Sequence, residues 1–178
     1  DGTASKYIDP LVVNGYSLWD IINPPYDLDN LAHLYDQSSI HYAAINARVM
    51  NTVGLGYEFQ DTLQAKRRIE RVQDDKVKLE KMRRQMQDLK EEMDDAFEDL
   101  NIEETLIETM VRVWQDVLTI GNGYLEIGRN NAGKIGYIGH IPGTMVRVRR
   151  KRDGFVQMSK SNKIQAVFFR NFQDLEMD

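Results

Sequence analysis

Hydrophobic positions along this chain change their period several times, and each change predicts an element. Leu28, Leu31, Leu34, Tyr35, Tyr42, Ile45, Val49 and Val53 recur mostly at intervals of three, four or seven, which predicts a helix over 28–53. Asp27 or Asp29 can cap its start, and Gly54 and Gly56 stop it, because glycine accepts the left-handed backbone a helix end often needs. Tyr57 to Phe59 then reads as a short strand.

From Tyr57 to Ile120 there is neither Gly nor Pro. Asp61 with Gln64, and Asn101 with Glu104, have the spacing of capping boxes, so the stretch divides into helices over about 62–98 and 102–120. In the first, Ala65, Val72, Leu79, Met86, Met93 and Leu100 lie seven apart on an otherwise charged rod, a narrow seam of the coiled-coil kind. Such a rod would be about 55 Å long, more than one small domain covers. The second helix carries a broad stripe, Leu106, Met110, Val113, Trp114, Val117 and Leu118, wide enough to cover a sheet.

After Gly121-Asn122-Gly123 the period becomes two. Tyr124–Arg129 and Lys134–Ile141 flank Asn130-Asn131-Ala132-Gly133, which predicts a hairpin. Pro142-Gly143 breaks it. Met145–Arg149 alternates as a third strand, Phe155–Met158 forms a fourth after the Arg152-Asp153-Gly154 turn, and Ile164–Phe169 a last one. Before all of this, residues 1–26 hold Gly2, Pro10, Gly15, Pro24 and Pro25 among short apolar pieces, Leu11-Val12-Val13 and Trp19 to Ile22. They read as an extended arm whose apolar side chains need a surface to cover, on this chain or another. The fold class that follows is α+β: helices on a small antiparallel sheet, with a long projecting coiled-coil-like helix. Its parts are the arm (1–26), an α+β body (27–61 and 101–178) and the inserted charged helix (62–100).

Composition narrows the chemistry. The chain has 178 residues, no Cys and three His, which removes thiolate metal sites and cysteine nucleophiles. No apolar run has the length of a membrane span. It begins at Asp1 and stops within strand-like text, and is expected to be a piece of a longer chain. No H-E-x-x-H, G-x-S-x-G or P-loop pattern occurs, so an enzyme is the least expected class, and no cofactor is expected. His33 and His41, eight apart, are too distant to chelate one ion directly, and His140 has no obvious partner.

The net charge of -5 hides strong segregation. Residues 62–84 carry nine basic and four acidic groups, net +5, and residues 85–104 one basic and nine acidic, net -8. Residues 145–163 carry seven basic and one acidic, net +6. On a single rod the first two blocks oppose the helix macrodipole, which prefers anions at the N-terminus and cations at the C-terminus. An antiparallel copy or a neighbouring molecule would compensate, and a solvated spacer is the plainer reading. The candidate contact residues are therefore Arg67, Arg68 and Arg71, the acids Glu91, Glu92, Asp94 and Asp95, and the strand cations Arg147, Arg149 and Arg150. A metal on the acidic run is the minority reading, since helix spacing spreads the carboxylates. For the strand cations an exposed edge, or a bridge to an acidic neighbour, is favoured over a phosphate contact, because the chain is acidic overall.

In combination, three segments resemble the portal proteins of tailed bacteriophages. They are Pro24-Pro25-Tyr26 with the following helix to Gly54-Leu55-Gly56-Tyr57; Trp114-Gln115-Asp116-Val117-Leu118 with Gly121-Asn122-Gly123-Tyr124-Leu125-Glu126-Ile127; and Arg129 to Ile135 with Ile141-Pro142-Gly143-Thr144-Met145-Val146-Arg147. The resemblance covers about residues 20–157. It implies the peripheral wing of a subunit of a homo-oligomeric ring, usually of twelve copies, at one capsid vertex of the virion, assembled in the host cytoplasm. Double-stranded DNA would pass through such a ring without sequence-specific contact. Terminase, head-completion proteins and the major capsid protein would be its partners. The channel-lining stem and the clip of that family have no counterpart here, and the helix 62–98 is a departure. The competing expectations are a coiled-coil adaptor using that helix, and a nucleic-acid binder using residues 147–152.

Overall fold

The computed structural model describes residue 9, residues 20–158 and residues 166–172. The apolar pieces at Leu11–Val13 and Trp19, and the first two residues of the last expected strand, lie outside the described residues. The fold is α+β, with five helices and two small antiparallel sheets among the described residues.

The first expected helix is two. α1 (Leu28–Gln37) starts under Asp27, whose carboxylate accepts from the Asp29 and Asn30 N–H groups. Ser38 then leaves helical conformation, with ψ at 106°, ends α1 and caps α2 (Ser39–Thr52) by accepting from the His41 N–H. A serine prefers this capping role to the helix interior because its hydroxyl competes for backbone groups. Ile45 and Val49 are the buried face of α2. Tyr57 and Phe59 form no strand. Their rings instead meet Phe97, at centroid distances of 6.0 and 5.6 Å.

The long charged helix is present but starts later than expected. α3 (Leu63–Arg71) is a separate short helix capped by Thr62, the chain turns at 72–75, and α4 (Lys76–Glu98) begins under Asp75. The two fold back on one another as a helical hairpin: Asp61 reaches Lys90 at 2.9 Å, and Ala65 and Arg68 share a groove with Met82, Met86 and Leu89. The heptad seam thus meets α3 of the same chain from Met82 to Leu89, while Leu89 and Met93 stay exposed. With 23 residues, α4 spans about 35 Å. The break also eases the dipole conflict, because Arg68 and Arg71 now stand in the last turn of α3, where cations are favoured. Neither hairpin helix contains a buried residue.

α5 (Leu106–Ile120) is the central helix. Thr105 and Glu108 form its capping box, one turn later than Asn101 and Glu104 would have placed it. Asn101 instead accepts from the Glu103 N–H and donates to the Ile138 carbonyl, tying the base of the hairpin to the body. Gly121, at φ 85°, ends α5 in the left-handed region.

The expected single sheet is also two. β1 (Tyr124–Arg129) pairs with β2 (Ile135–Ile141), with an irregularity at Gly128/Arg129, and Asn130 and Gly133 close the turn. After a 3-10 turn (Gly143–Met145), β3 (Val146–Val148) pairs with β4 (Gly154–Met158), and β4 with β5 (Ala166–Arg170). The arm supplies a further edge: Ile21 bridges Arg149, and the Ile22 N–H donates to the Val148 carbonyl at 2.8 Å. Ile21 packs with Val156 and Met158. The surface that the arm covers, where it is described, is on its own chain. α1, α2 and α5 pack together, and α5 packs on β2.

Candidate interaction surface

The basic strand turns inward. Arg147 and Val146 are both buried, so β3 has no exposed face of the alternating kind. The Arg147 guanidinium pairs with Asp9, itself 1% exposed, and donates to the carbonyls of Thr144 and Val146 at 2.8 and 2.9 Å. Asp9 also accepts orientation from the arm, its N–H donating to the Asn23 side chain. Burying a charge is tolerable only when it is paired and hydrogen-bonded, and here the arm and the 3-10 turn meet that condition together. The expectation of Arg147 as an exposed edge cation is corrected on this ground. Arg149 pairs with Asp153 at 2.7 Å and lies over the Phe168 ring at 5.1 Å. Arg150 pairs with Asp20 at 3.0 Å. Desolvation lifts the Tyr124 hydroxyl above the ordinary tyrosine range, and the nearby Arg147 charge opposes the rise.

His140 does have a partner. Its Nε2 lies 2.8 Å from Asp116 Oδ2, and the same oxygen accepts from the Gly143 N–H at 2.7 Å. The trio joins α5 to the end of β2 and to the start of the 3-10 turn that follows it. A Cβ on Gly143 would stand 2.6 Å from Ile120 and 2.9 Å from the Asn122 carbonyl, so the close approach needs glycine. One residue earlier, Gln115 donates to Asn46 at 3.1 Å and to the Tyr35 hydroxyl at 3.4 Å. Neighbouring side chains of α5 therefore tie it to α1 and α2 on one side and to the sheet connection on the other. His33 is exposed and His41 half-buried, on separate helices. Among the described residues no group of three or more His, Asp or Glu could hold a metal. Among them, too, no helix is long and apolar enough to cross a membrane.

The hairpin is the opposite case. Arg67, Arg68, Arg71, Glu92, Asp94, Asp95, Glu98 and Glu103 are exposed and have no ion pair among the described residues. Glu91 accepts from Gln87 at 2.9 Å. The cations sit toward the free end of the hairpin and the acids toward its base, where Asp61 meets Lys90. At the base, Tyr57, Phe97, Ile102, Leu106 and Ile107 line a groove of about 520 Å³, rimmed by Glu98, Glu103, Glu104 and Glu108. Ile102 is 102% exposed. Glu104 is held by Arg112 at 3.0 Å, and the Thr105 backbone and hydroxyl hold Glu108 below the usual carboxylate range. Desolvation, and then the charges of Asp94 and Glu98, raise the Tyr57 hydroxyl above its ordinary range.

Of the ten candidate contact residues, then, Arg147, Arg149 and Arg150 are engaged within the chain, and the seven on the hairpin face solvent. Asp9, Asp116 and Ile102 were not singled out from sequence. A lone acid in a Pro- and Gly-broken arm gives no signal of its distant partner, and Ile102 looks like an ordinary first-turn residue. No protein-family model, curated protein or solved structure matches the chain.

Proposed function

We propose that this chain is a structural, non-enzymatic part of a phage portal ring. It would form the peripheral wing of a subunit at the unique capsid vertex, in a ring of about the family's usual twelve copies. The ring would conduct double-stranded DNA during packaging and ejection, and would dock terminase, head-completion proteins and the major capsid protein. One observation supports this reading. The three segments that carry the resemblance, scattered over more than a hundred residues, pack into one unit: Gln115 links α5 to α1 and α2, and Asp116 links it to His140 and Gly143. The long insertion stands apart from that unit, joined to it near Tyr57, Leu100 and Asn101. A duplex-binding role for residues 147–152 is disfavoured, because Arg147, Arg149 and Arg150 already hold carboxylates.

The test is the mass of the protein made from its complete gene, read by mass photometry together with negative-stain images. Closed rings of uniform copy number are expected. A monomer across the accessible range of concentration and salt would overturn the proposal.

A further inference from the structure

The two charge blocks of the hairpin cannot satisfy each other within one molecule. Arg68 lies level with Met82 across the hairpin, and Asp95 is thirteen residues further along α4, about 20 Å away. Exposed charges farther apart than a Debye length of about 8 Å are largely screened from one another. Each block is therefore a surface of one predominant sign, with no ion pair to the other block among the described residues. Each also offers apolar area: Val77 is 79% exposed beside the basic free end, and Ile102 is fully exposed at the acidic groove.

We infer that the acidic groove at the base of the hairpin binds the basic part of the hairpin of a second copy of this chain. Arg67 and Arg71 of one copy approach Glu98 and Glu103 of the next, and apolar side chains of α3 and early α4 cover Ile102 and the Tyr57–Phe97 rings. Charge complementarity selects the occupant. A generic acidic partner would be repelled by the groove, and a generic basic one would leave the oppositely charged block of this chain uncovered. The contact joins different surfaces of the two copies, so it is heterologous and can propagate around a ring. This inference rests on the ring reading above and names the surface through which neighbours touch.

This chain has no Cys, so once any cysteine elsewhere in the full-length protein is replaced by serine, introduced thiols allow a direct test. Arg67→Cys and Ile102→Cys are made as separate variants, mixed, and treated with a short bismaleimide. A crosslinked product carrying both labels can arise only between copies. In parallel, Arg67→Glu with Arg71→Glu, and Glu98→Lys with Glu103→Lys, are tested for assembly singly and combined in one chain. Each pair alone should raise the concentration for half-assembly by at least about tenfold, since like charges face each other at the contact. The combination should restore it, and circular dichroism should show all variants folded. Rings that form without the mixed crosslink and ignore both reversals would overturn this inference and leave the proposed function standing. Absence of any assembly in the unmodified protein would overturn both.

Discussion

Around β3 the chain buries Arg147 against Asp9 and answers two further cations with carboxylates, the half-buried Arg149 with Asp153 and the exposed Arg150 with Asp20. Along α3 and α4 it does the reverse, leaving most charges without an ion pair among the described residues and burying no side chain. The two regions look alike in sequence, each a basic run of similar net charge. What separates them is supply of counter-charge. The arm and the Asp153 turn reach β3, whereas among the described residues no counter-charge from outside the hairpin pairs with its free end, where Lys78 pairs with the neighbouring Asp75. A basic run is thus a structural device in one place and an open surface in the other.

The sharpest break of this comparison is Arg147→Ala. It strands the buried Asp9 carboxylate and frees the Thr144 and Val146 carbonyls from their donor, and removing one partner of a buried pair costs about 3–5 kcal/mol. Urea denaturation measures it. Asp9→Ala should give a similar loss, and the double variant should lose less than the sum of the two. A loss under about 1 kcal/mol for Arg147→Ala would mean that the strand cluster resembles the hairpin after all.

Sequence periodicity recovered what depends on local burial. The helical pattern of α5, the Asn130–Gly133 turn and the five later strands follow from residues close in the chain and are present, with α5 starting at Leu106 and the strands divided between two sheets. It failed where a distant contact or a competing local bond decides. Ser38 splits the first helix because its hydroxyl caps better than it fills. The turn at 72–75 has neither Gly nor Pro, and what the heptads could not say is that their partner is the same chain folded back. Thr105 outcompetes Asn101 as a cap because Asn101 is drawn to the Ile138 carbonyl on β2, which no spacing along the chain encodes. The fate of the candidate contacts divides the same way: Arg147 was misread because its partner lies 138 residues away.

The next largest effect falls on the α5 junction. Asp116→Ala leaves the Gly143 N–H and His140 without their acceptor, and an unmade bond of this kind costs about 1–3 kcal/mol. Loss of far more than that would mean the junction carries weight now assigned to the Arg147 pair. Thr105→Ala removes one half of the capping box and should cost about 1 kcal/mol, read by thermal unfolding.

The smallest effect sharpens the comparison most. Arg67→Ala, Arg71→Ala and Glu103→Ala touch exposed groups with no ion pair, so each should change unfolding free energy by no more than about 0.5 kcal/mol. The measurement belongs at low protein concentration, where copies are apart. There the hairpin charges should be neutral to folding. At concentrations where copies assemble, the same substitutions should lower apparent stability, since binding to the folded state stabilises it by mass action. Addition of salt should erase that concentration-dependent difference and leave the Arg147→Ala loss almost unchanged, because screening acts on exposed charges and hardly on a buried pair. A stability loss that is equally large in dilute and concentrated samples would show that the hairpin cations hold the molecule itself together. The distinction between the two basic runs would then be gone.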